Sequence, residues 1–360
     1  MDKRLGFVGA GAMGSFVGGM LARAHYDVTL IDGWPEHIKA IKEQGLLITG
    51  THGRITVGLR ALHIHELHKL ASTPLDVAFI SVKAYDSEWA TALIKGYLAP
   101  DAIVVSLQNG FNEATISRVL DGQPVVGCIA STLGAEITGP GEVSRAYEPG
   151  GDRYEVFRVG EVDGTMTARV QWVVDVLNRV DTTKATSNLF GERWSKLVAN
   201  SMVNPLAAIT GLRDRAMSMN SEVRRLSMLL AIEAVKVGRA AGYSLVPIFG
   251  IPVDRWVTAG NGQGVDQLDL DMARMAERAT DKGRSSTPVD LELGRRTELD
   301  YFNGLVMSKG LELGIPTPVN DSVMTIFRSV ERGELKPGLA NLDQIRQGTK
   351  GAGDIQLVGS

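Results

Sequence analysis

An apolar run from Leu5 to Val8 leads directly into Gly9, Ala10, Gly11, Ala12, Met13 and Gly14; a helical pattern then covers Ser15 to Ala24, and a second apolar run covers Asp27 to Ile31. Strand, glycine turn, helix, strand is the order of a dinucleotide-binding unit. The first glycine makes the tight turn, the second lets the backbone approach a pyrophosphate, and the third lets the helix pack on the strand. The start of the helix then faces the phosphates. A glycine-rich turn without a ligand has the same spacing. What makes this one specific is its context: a strand ends directly before it, a helix follows, and the next strand ends in the acidic Asp32.

Further apolar runs, Val77 to Val82, Ile103 to Leu107 and Val125 to Ile129, alternate with stretches suited to helices, Asp86 to Tyr97 and Glu113 to Leu120. Continuous apolar strands alternating with helices predict an α/β fold with a Rossmann-type, doubly wound parallel sheet. The alternation weakens after Ala130 in a Gly- and Pro-rich region that can carry antiparallel strands such as Tyr154 to Val159. From Asn188 onward helical patterns dominate, over Gly191 to Ile209, Glu222 to Ala241, Asp266 to Lys282 and Thr297 to Leu313. A chain of 360 residues is long for a single core. The expected organisation is a dinucleotide-binding domain over 1–186, a mainly α-helical substrate domain over 187–335, and a C-terminal tail over 336–360. Pro247 to Gly264 and the tail, both rich in Gly, read as loop.

Composition narrows the partners. The net charge is only −3, which recruits neither nucleic acid nor an anionic membrane, and no segment is apolar for long enough to span a bilayer. The single cysteine, Cys128, excludes an internal disulfide framework and reads as a buried core thiol. With no signal-peptide pattern at Met1 to Gly14, a cytoplasmic protein is expected.

Asp32 lies 23 residues after Gly9, where a carboxylate accepts hydrogen bonds from the adenosine ribose and repels a 2′-phosphate. This favours NAD(H) as cofactor. Asp-Gly-Trp-Pro is also good turn chemistry, and Lys83, which follows the strand Val77 to Val82, could reach the adenosine end.

The six histidines, His25, His37, His52, His63, His65 and His68, all lie in the first 68 residues. A histidine acid from the second domain is therefore excluded. None of the seven tyrosines has a lysine four residues on, so that catalytic pair is absent too. The His63, His65, His68 cluster lacks zinc-site spacing and reads as a solvated face, and no metal is expected. A lysine remains as proton donor to a carbonyl. Lys196, Asn200 and Asn204 are four residues apart and share one helix stripe. Asparagine is a poor helix former with directional hydrogen bonding, which favours a ligand-facing stripe over a plain solvent face. A second candidate region runs from Ser285 to Asp300. Its Ser/Thr turn offers hydroxyl donors, and Glu298, at a helix start, could meet a lysine ammonium; acidic residues at a helix start need no function to explain them.

Together, GAGAMG, SVKAYD (from Ser81), SLQNGFNE (from Ser106), the segment from Glu192 to Gly211 and the segment from Ser285 to Gly304 resemble the ketopantoate reductase, or 2-dehydropantoate 2-reductase, family, in family order across roughly residues 5 to 320. The resemblance implies hydride transfer between a nicotinamide cofactor and a 2-oxo acid/(R)-2-hydroxy acid pair, with Lys196 as general acid and Glu298 as its partner. It implies that Asn200, Asn204 and Ser286 bind substrate, and that Asn109 lies near both nicotinamide and substrate. It leaves NADP(H) open as cofactor and a homodimer open as the assembly.

Two departures touch specificity. Asp32 stands where the family commonly places a base for the NADPH phosphate, and Gly283 stands where some members carry a substrate-binding asparagine. The chain also has extra sequence over 247–282 and at its C-terminus. A 2-dehydropantoate 2-reductase is thus the first expectation. An NAD-dependent (R)-2-hydroxy-acid dehydrogenase with a non-pantoate substrate is the alternative within the same chemistry, and a non-catalytic dinucleotide sensor is the alternative outside it.

Overall fold

The computed structural model describes residues 3–278 and 285–349. The chain divides into two compact units, Met1–Leu189 and Phe190–Ser360.

The first unit holds strands β1 (Arg4–Val8), β2 (Asp27–Asp32), β3 (Leu46–Gly50), β4 (Ile55–Val57), β5 (Arg60–His63), β6 (Leu75–Ile80), β7 (Leu98–Ser106), β8 (Val126–Ala130), β9 (Ala135–Gly139), β10 (Glu142–Arg145), β11 (Phe157–Glu161) and β12 (Thr183–Ala185). Its helices are α1 (Ala12–Arg23), α2 (Pro35–Gln44), α3 (Ser87–Lys95), α4 (Glu113–Val119) and α5 (Ala168–Leu177). The main sheet is eight-stranded in the order β12-β11-β8-β7-β6-β1-β2-β5. Its pairings are parallel except β8 with β11. The central strands are buried on both faces, with Leu5, Phe7, Val77, Phe79 and Val105 fully enclosed, and this is why they read as continuous apolar runs. Phe7 and Phe79 stack across neighbouring strands at 4.5 Å. Cys128 is buried within β8.

A second, four-stranded sheet in the order β4-β3-β10-β9 was not expected from the sequence. Its strands are three to five residues long, and β3 pairs in parallel with the distant β10. No local pattern announces such a pairing. Helix α1 lies between the two sheets. A Cβ at Gly18 would come within 2.7 Å of Leu30 in the main sheet, and one at Gly19 within 2.6 Å of Leu46 in the second, so the glycine pair lets both layers close on the helix.

The second unit is helical: α6 (Leu189–Thr210), α7 (Asp214–Met219), α8 (Ser221–Ala240), α9 (Val253–Gly260), α10 (Val265–Arg278), α11 (Ser286–Glu292), α12 (Asn303–Glu312), α13 (Pro318–Glu331) and α14 (Asn341–Thr349). Trp194 of α6 is fully buried and donates from Nε1 to the Ala234 carbonyl of α8 at 2.8 Å. A Cβ at Gly238 would lie 2.1 Å from that indole nitrogen, so only glycine admits the ring there.

Four local expectations need correction. Pro247 to Gly264 contains α9, whose Trp256 and Ala259 are buried one turn apart. The segment from Lys336 is not all loop: α14 buries Leu342 and Ile345, and Asn341 Nδ2 donates to the Ile209 carbonyl at the end of α6. The helix expected over Thr297 to Leu313 is a 3-10 turn, Leu299–Tyr301, followed by α12; Phe302 between them leaves helical dihedrals (φ −111, ψ −85) with its ring fully buried. The hydroxyl turn expected at Ser285 and Ser286 is the start of α11, with Ser285 as its N-cap. Gly283 and the end of the helix expected over Asp266 to Lys282 lie outside the described residues.

Candidate active site

The glycine turn joins β1 to α1 at the carboxyl ends of the parallel strands, where open α/β sheets bind ligands. Gly9 has φ +103, and a Cβ there would come within 2.7 Å of the Val82 backbone nitrogen. At Gly14 a Cβ would lie 2.0 Å from the Gly9 carbonyl oxygen. The turn is therefore closed on its inner side. At Gly11 a Cβ would meet nothing within 4 Å, so this backbone is open to an incoming group. The first turn of α1 carries no acidic residue, and its main-chain donors at Ala12, Met13 and Gly14 have no acceptor within the helix. An open backbone beside unpartnered helix-end donors fits a dinucleotide pyrophosphate.

Asp32, half-buried at the end of β2, accepts from Ala10 N–H at 2.7 Å through Oδ2 and from Trp34 N–H at 2.9 Å through Oδ1. The carboxylate thus ties the glycine turn to the β2 end while each oxygen keeps a further lone pair. Behind it runs a chain that the sequence did not reveal. Gly141 N–H donates to His37 Nδ1 at 2.9 Å, His37 Nε2 lies 3.1 Å from Ser15 Oγ, and Ser15 Oγ donates to the Ala10 carbonyl at 2.7 Å. These bonds assign the neutral tautomer with the proton on Nε2. The relay anchors the turn to the second sheet.

His37 is fully buried, and burial lowers its pKa below the usual histidine range. The folded protein then resists a proton that the unfolded chain accepts below about pH 6.5. Stability is complete above that pH and falls as pH drops below it. His52, also lowered by burial and by Arg145, acts in the same direction. In His37→Gln the amide can accept from Gly141 and donate to Ser15 without titrating. Urea titrations between pH 7.5 and 5 are expected to lose part of the acid slope in this variant, at most about 1.4 kcal/mol per pH unit. An unchanged slope would remove His37 from that dependence.

Lys83 follows β6 and Asn109 follows β7, the two strands next in order after β1 in the sheet. Both side chains are half-buried. Gln108 joins their loops: its Nε2 donates to the Val82 carbonyl at 2.9 Å and to Ser87 Oγ at 2.8 Å. Asn109 accepts from Asn112 Nδ2 at 2.7 Å through its carbonyl, and Gly110 at φ +80 completes the turn. Gly9 to Gly14, Asp32, Lys83 and Asn109 therefore line the carboxyl edge of adjacent strands.

In the second unit, Lys196 and Asn200 are half-buried on α6 and Asn204 is buried. Ser285 Oγ donates to Asn204 Oδ1 at 2.5 Å, so Ser285, the neighbour of the expected Ser286, meets the stripe. Glu298 is buried where the 3-10 turn Leu299–Tyr301 begins. Beyond Asn204 the stripe continues into Ala208, and a cavity of about 260 Å³ opens there, lined by Ala208, Leu212, Leu291 and Pro337 together with the charged Arg213, Asp214 and Glu292. Among the described residues, no three His, Cys, Asp or Glu side chains are grouped to hold a metal, and no helix is long and apolar enough to cross a membrane.

A glycine-turn sheet domain followed by a helical domain carrying a largely half-buried polar stripe is the build of a two-domain, nicotinamide-dependent oxidoreductase. The comparisons with known proteins make the class specific. Residues 5–156 match the family model described as ketopantoate reductase PanE/ApbA, and residues 188–331 match its C-terminal model. The chain belongs to the ketopantoate reductase family. A 2-dehydropantoate 2-reductase of Archaeoglobus fulgidus is 29% identical over 92% of this chain and 99% of its own length. The crystal structure of a PanE/ApbA family ketopantoate reductase from Ralstonia eutropha has a TM-score of 0.75 at 28% identity, covering 92% of this chain and 99% of that one. A D-mandelate dehydrogenase bound to NADH and anilino(oxo)acetate shares the fold, with a TM-score of 0.75 at 22% identity over 92% of this chain and 98% of that one.

Proposed function

We propose that the protein reduces a 2-oxo acid to its (R)-2-hydroxy acid, with 2-dehydropantoate as the first candidate substrate and Lys196 as general acid. The observation that carries this reading is the stripe of Lys196, Asn200 and Asn204 on α6, with Ser285 bonded to its buried end. A bound nicotinamide supplies the hydride. Lys196 Nζ gives a proton to the carbonyl oxygen as negative charge develops there, and Glu298 keeps the ammonium form available. Asn200 and Asn204 offer donors and acceptors that orient the substrate, while Ser286 and Asn109 bind its carboxylate. The main chain from Gly9 to Gly14 holds the pyrophosphate.

NAD(H) is the favoured cofactor. Asp32 would face the adenosine ribose with a negative charge, and Gly33 to Glu36 bring no cation to offset a 2′-phosphate. Asp32→Ala is expected to narrow the NADH over NADPH preference in kcat/KM by about tenfold. It should also weaken both cofactors somewhat, because Ala10 N–H loses its acceptor. A preference ratio unchanged by the substitution would confine Asp32 to its turn.

The cavity beyond Asn204 supports a second reading with the same chemistry. Its lining combines Leu212, Leu291 and Pro337 with Arg213, Asp214 and Glu292, and its volume leaves room for a substituent bulkier than the one ketopantoate carries, as in an NAD-dependent (R)-2-hydroxy-acid dehydrogenase. A steady-state panel of 2-oxo acids against NADH and NADPH separates the readings. Efficient ketopantoate turnover supports the first, and turnover restricted to bulkier 2-oxo acids supports the second. A protein that binds cofactor but reduces none of them would be a dinucleotide sensor.

A further inference from the structure

Pro205 lies inside α6, directly after Asn204. Proline has no N–H, and its ring crowds the carbonyl four residues earlier. That carbonyl belongs to Ser201, a fully buried residue next to Asn200. The bond missing from the helix would thus have joined the two residues that directly follow the asparagines of the stripe, Ser201 after Asn200 and Pro205 after Asn204.

Another part of the chain supplies the donor. Asn303 Nδ2 donates to the Ser201 carbonyl at 2.9 Å and to Asn320 Oδ1 at 2.9 Å, which uses both hydrogens of the amide. Asn320 Nδ2 in turn donates to Glu233 Oε2 at 2.8 Å. Glu233, on α8, also accepts from Val319 N–H at 2.8 Å and Asn320 N–H at 2.9 Å. These two donors sit in the first turn of α13, where no intrahelical acceptor exists. Asn303 and Asn320 are fully buried. The network has one consistent orientation: a carboxylate accepts only, so Asn320 must present its amide nitrogen to Glu233 and its oxygen to Asn303. Asn303 must then present its nitrogen to both partners. Three helices therefore converge on a single carbonyl of α6.

We propose that Asn303, oriented by Asn320 and Glu233, is a positioning residue that holds the Ser201 carbonyl left without a helix donor by Pro205, and so sets where the Asn200 and Asn204 amides meet the substrate. The inference rests on the reading of those asparagines as substrate-binding residues. Filling an orphaned carbonyl alone would be a structural role. The network does more, because it ties α8, α12 and α13 to the carbonyl of the residue that directly follows Asn200 in the stripe.

Three variants test this. Asn303→Leu keeps the volume and removes the donor. Pro205→Ala restores an N–H for the Ser201 carbonyl within the helix. The third variant combines both. In Asn303→Leu the melting temperature falls and KM for the 2-oxo acid rises about tenfold or more, while KM for the nicotinamide cofactor stays within about twofold. Pro205→Ala closes the helix without lowering the melting temperature, yet raises KM for the 2-oxo acid. In the combined variant the melting temperature recovers and the raised substrate KM persists. The proposal is overturned if Pro205→Ala leaves substrate KM unchanged, or if the combined variant regains substrate KM together with stability. A wild-type protein that turns over no 2-oxo acid overturns instead the functional reading beneath it.

Discussion

Lys196→Ala is expected to lower kcat for the 2-oxo acid by about two to four orders of magnitude while leaving cofactor affinity unchanged. Reduction of a carbonyl leaves negative charge on oxygen, and a positioned acid that supplies a proton there acts on the chemical step itself. No histidine lies beyond residue 68 to replace it. Cofactor affinity is preserved because the Gly9 to Gly14 turn belongs to the other compact unit. Steady-state kinetics with a fluorescence titration of NADH checks both halves. A variant that keeps kcat within about threefold would remove Lys196 from the mechanism.

The largest stability effect is expected at Arg145. Its side chain is fully buried, pairs with the equally enclosed Asp181 at 2.5 Å, donates from Nε to the Tyr147 carbonyl at 2.7 Å, and stands 5.5 Å from the Phe16 ring centroid. Asp181 also accepts from Gly150 N–H at 3.0 Å. The pair ties β10 of the second sheet to the approach to β12. Arg145→Leu leaves the Asp181 carboxylate buried without its cation, which costs about 3 to 5 kcal/mol. Burial decides the magnitude: the Arg118 and Glu88 pair is exposed on both sides, and a pair of that kind contributes about 0 to 1 kcal/mol. Urea unfolding of Arg145→Leu alongside Arg118→Leu measures the contrast. A loss below about 1 kcal/mol at Arg145 would contradict this account of the buried pair.

The dinucleotide unit was legible in the sequence because its signals are local. Leu5 to Val8 reads as a buried strand, and the glycines at 9, 11 and 14 state their spacing directly. The stripe from Lys196 to Asn204 was legible for the same reason, since helix periodicity alone places it. The second sheet was not, because β3 and β10 find each other across distant chain and neither strand exceeds five residues. Helix α14 was hidden by Gly338, Gly348, Gly351 and Gly353, which outweighed the apolar Leu342 and Ile345 that anchor it. Residues that act through others were out of reach altogether. His37 and Asn303 have ordinary local contexts, and what each does depends on a partner far away in sequence: Gly141 for the first, Ser201 for the second.

In the proposed reaction, hydride reaches the carbonyl carbon of a 2-oxo acid while Lys196 protonates its oxygen. The most direct measurement uses NADH deuterated at the transferring position of the nicotinamide, with the best substrate of the panel, and mass spectrometry and chiral analysis of the product. The expected product is an (R)-2-hydroxy acid carrying the label on C2, formed by the wild type and nearly absent with Lys196→Ala. A wild-type protein that binds NADH yet transfers no label to any 2-oxo acid would contradict it.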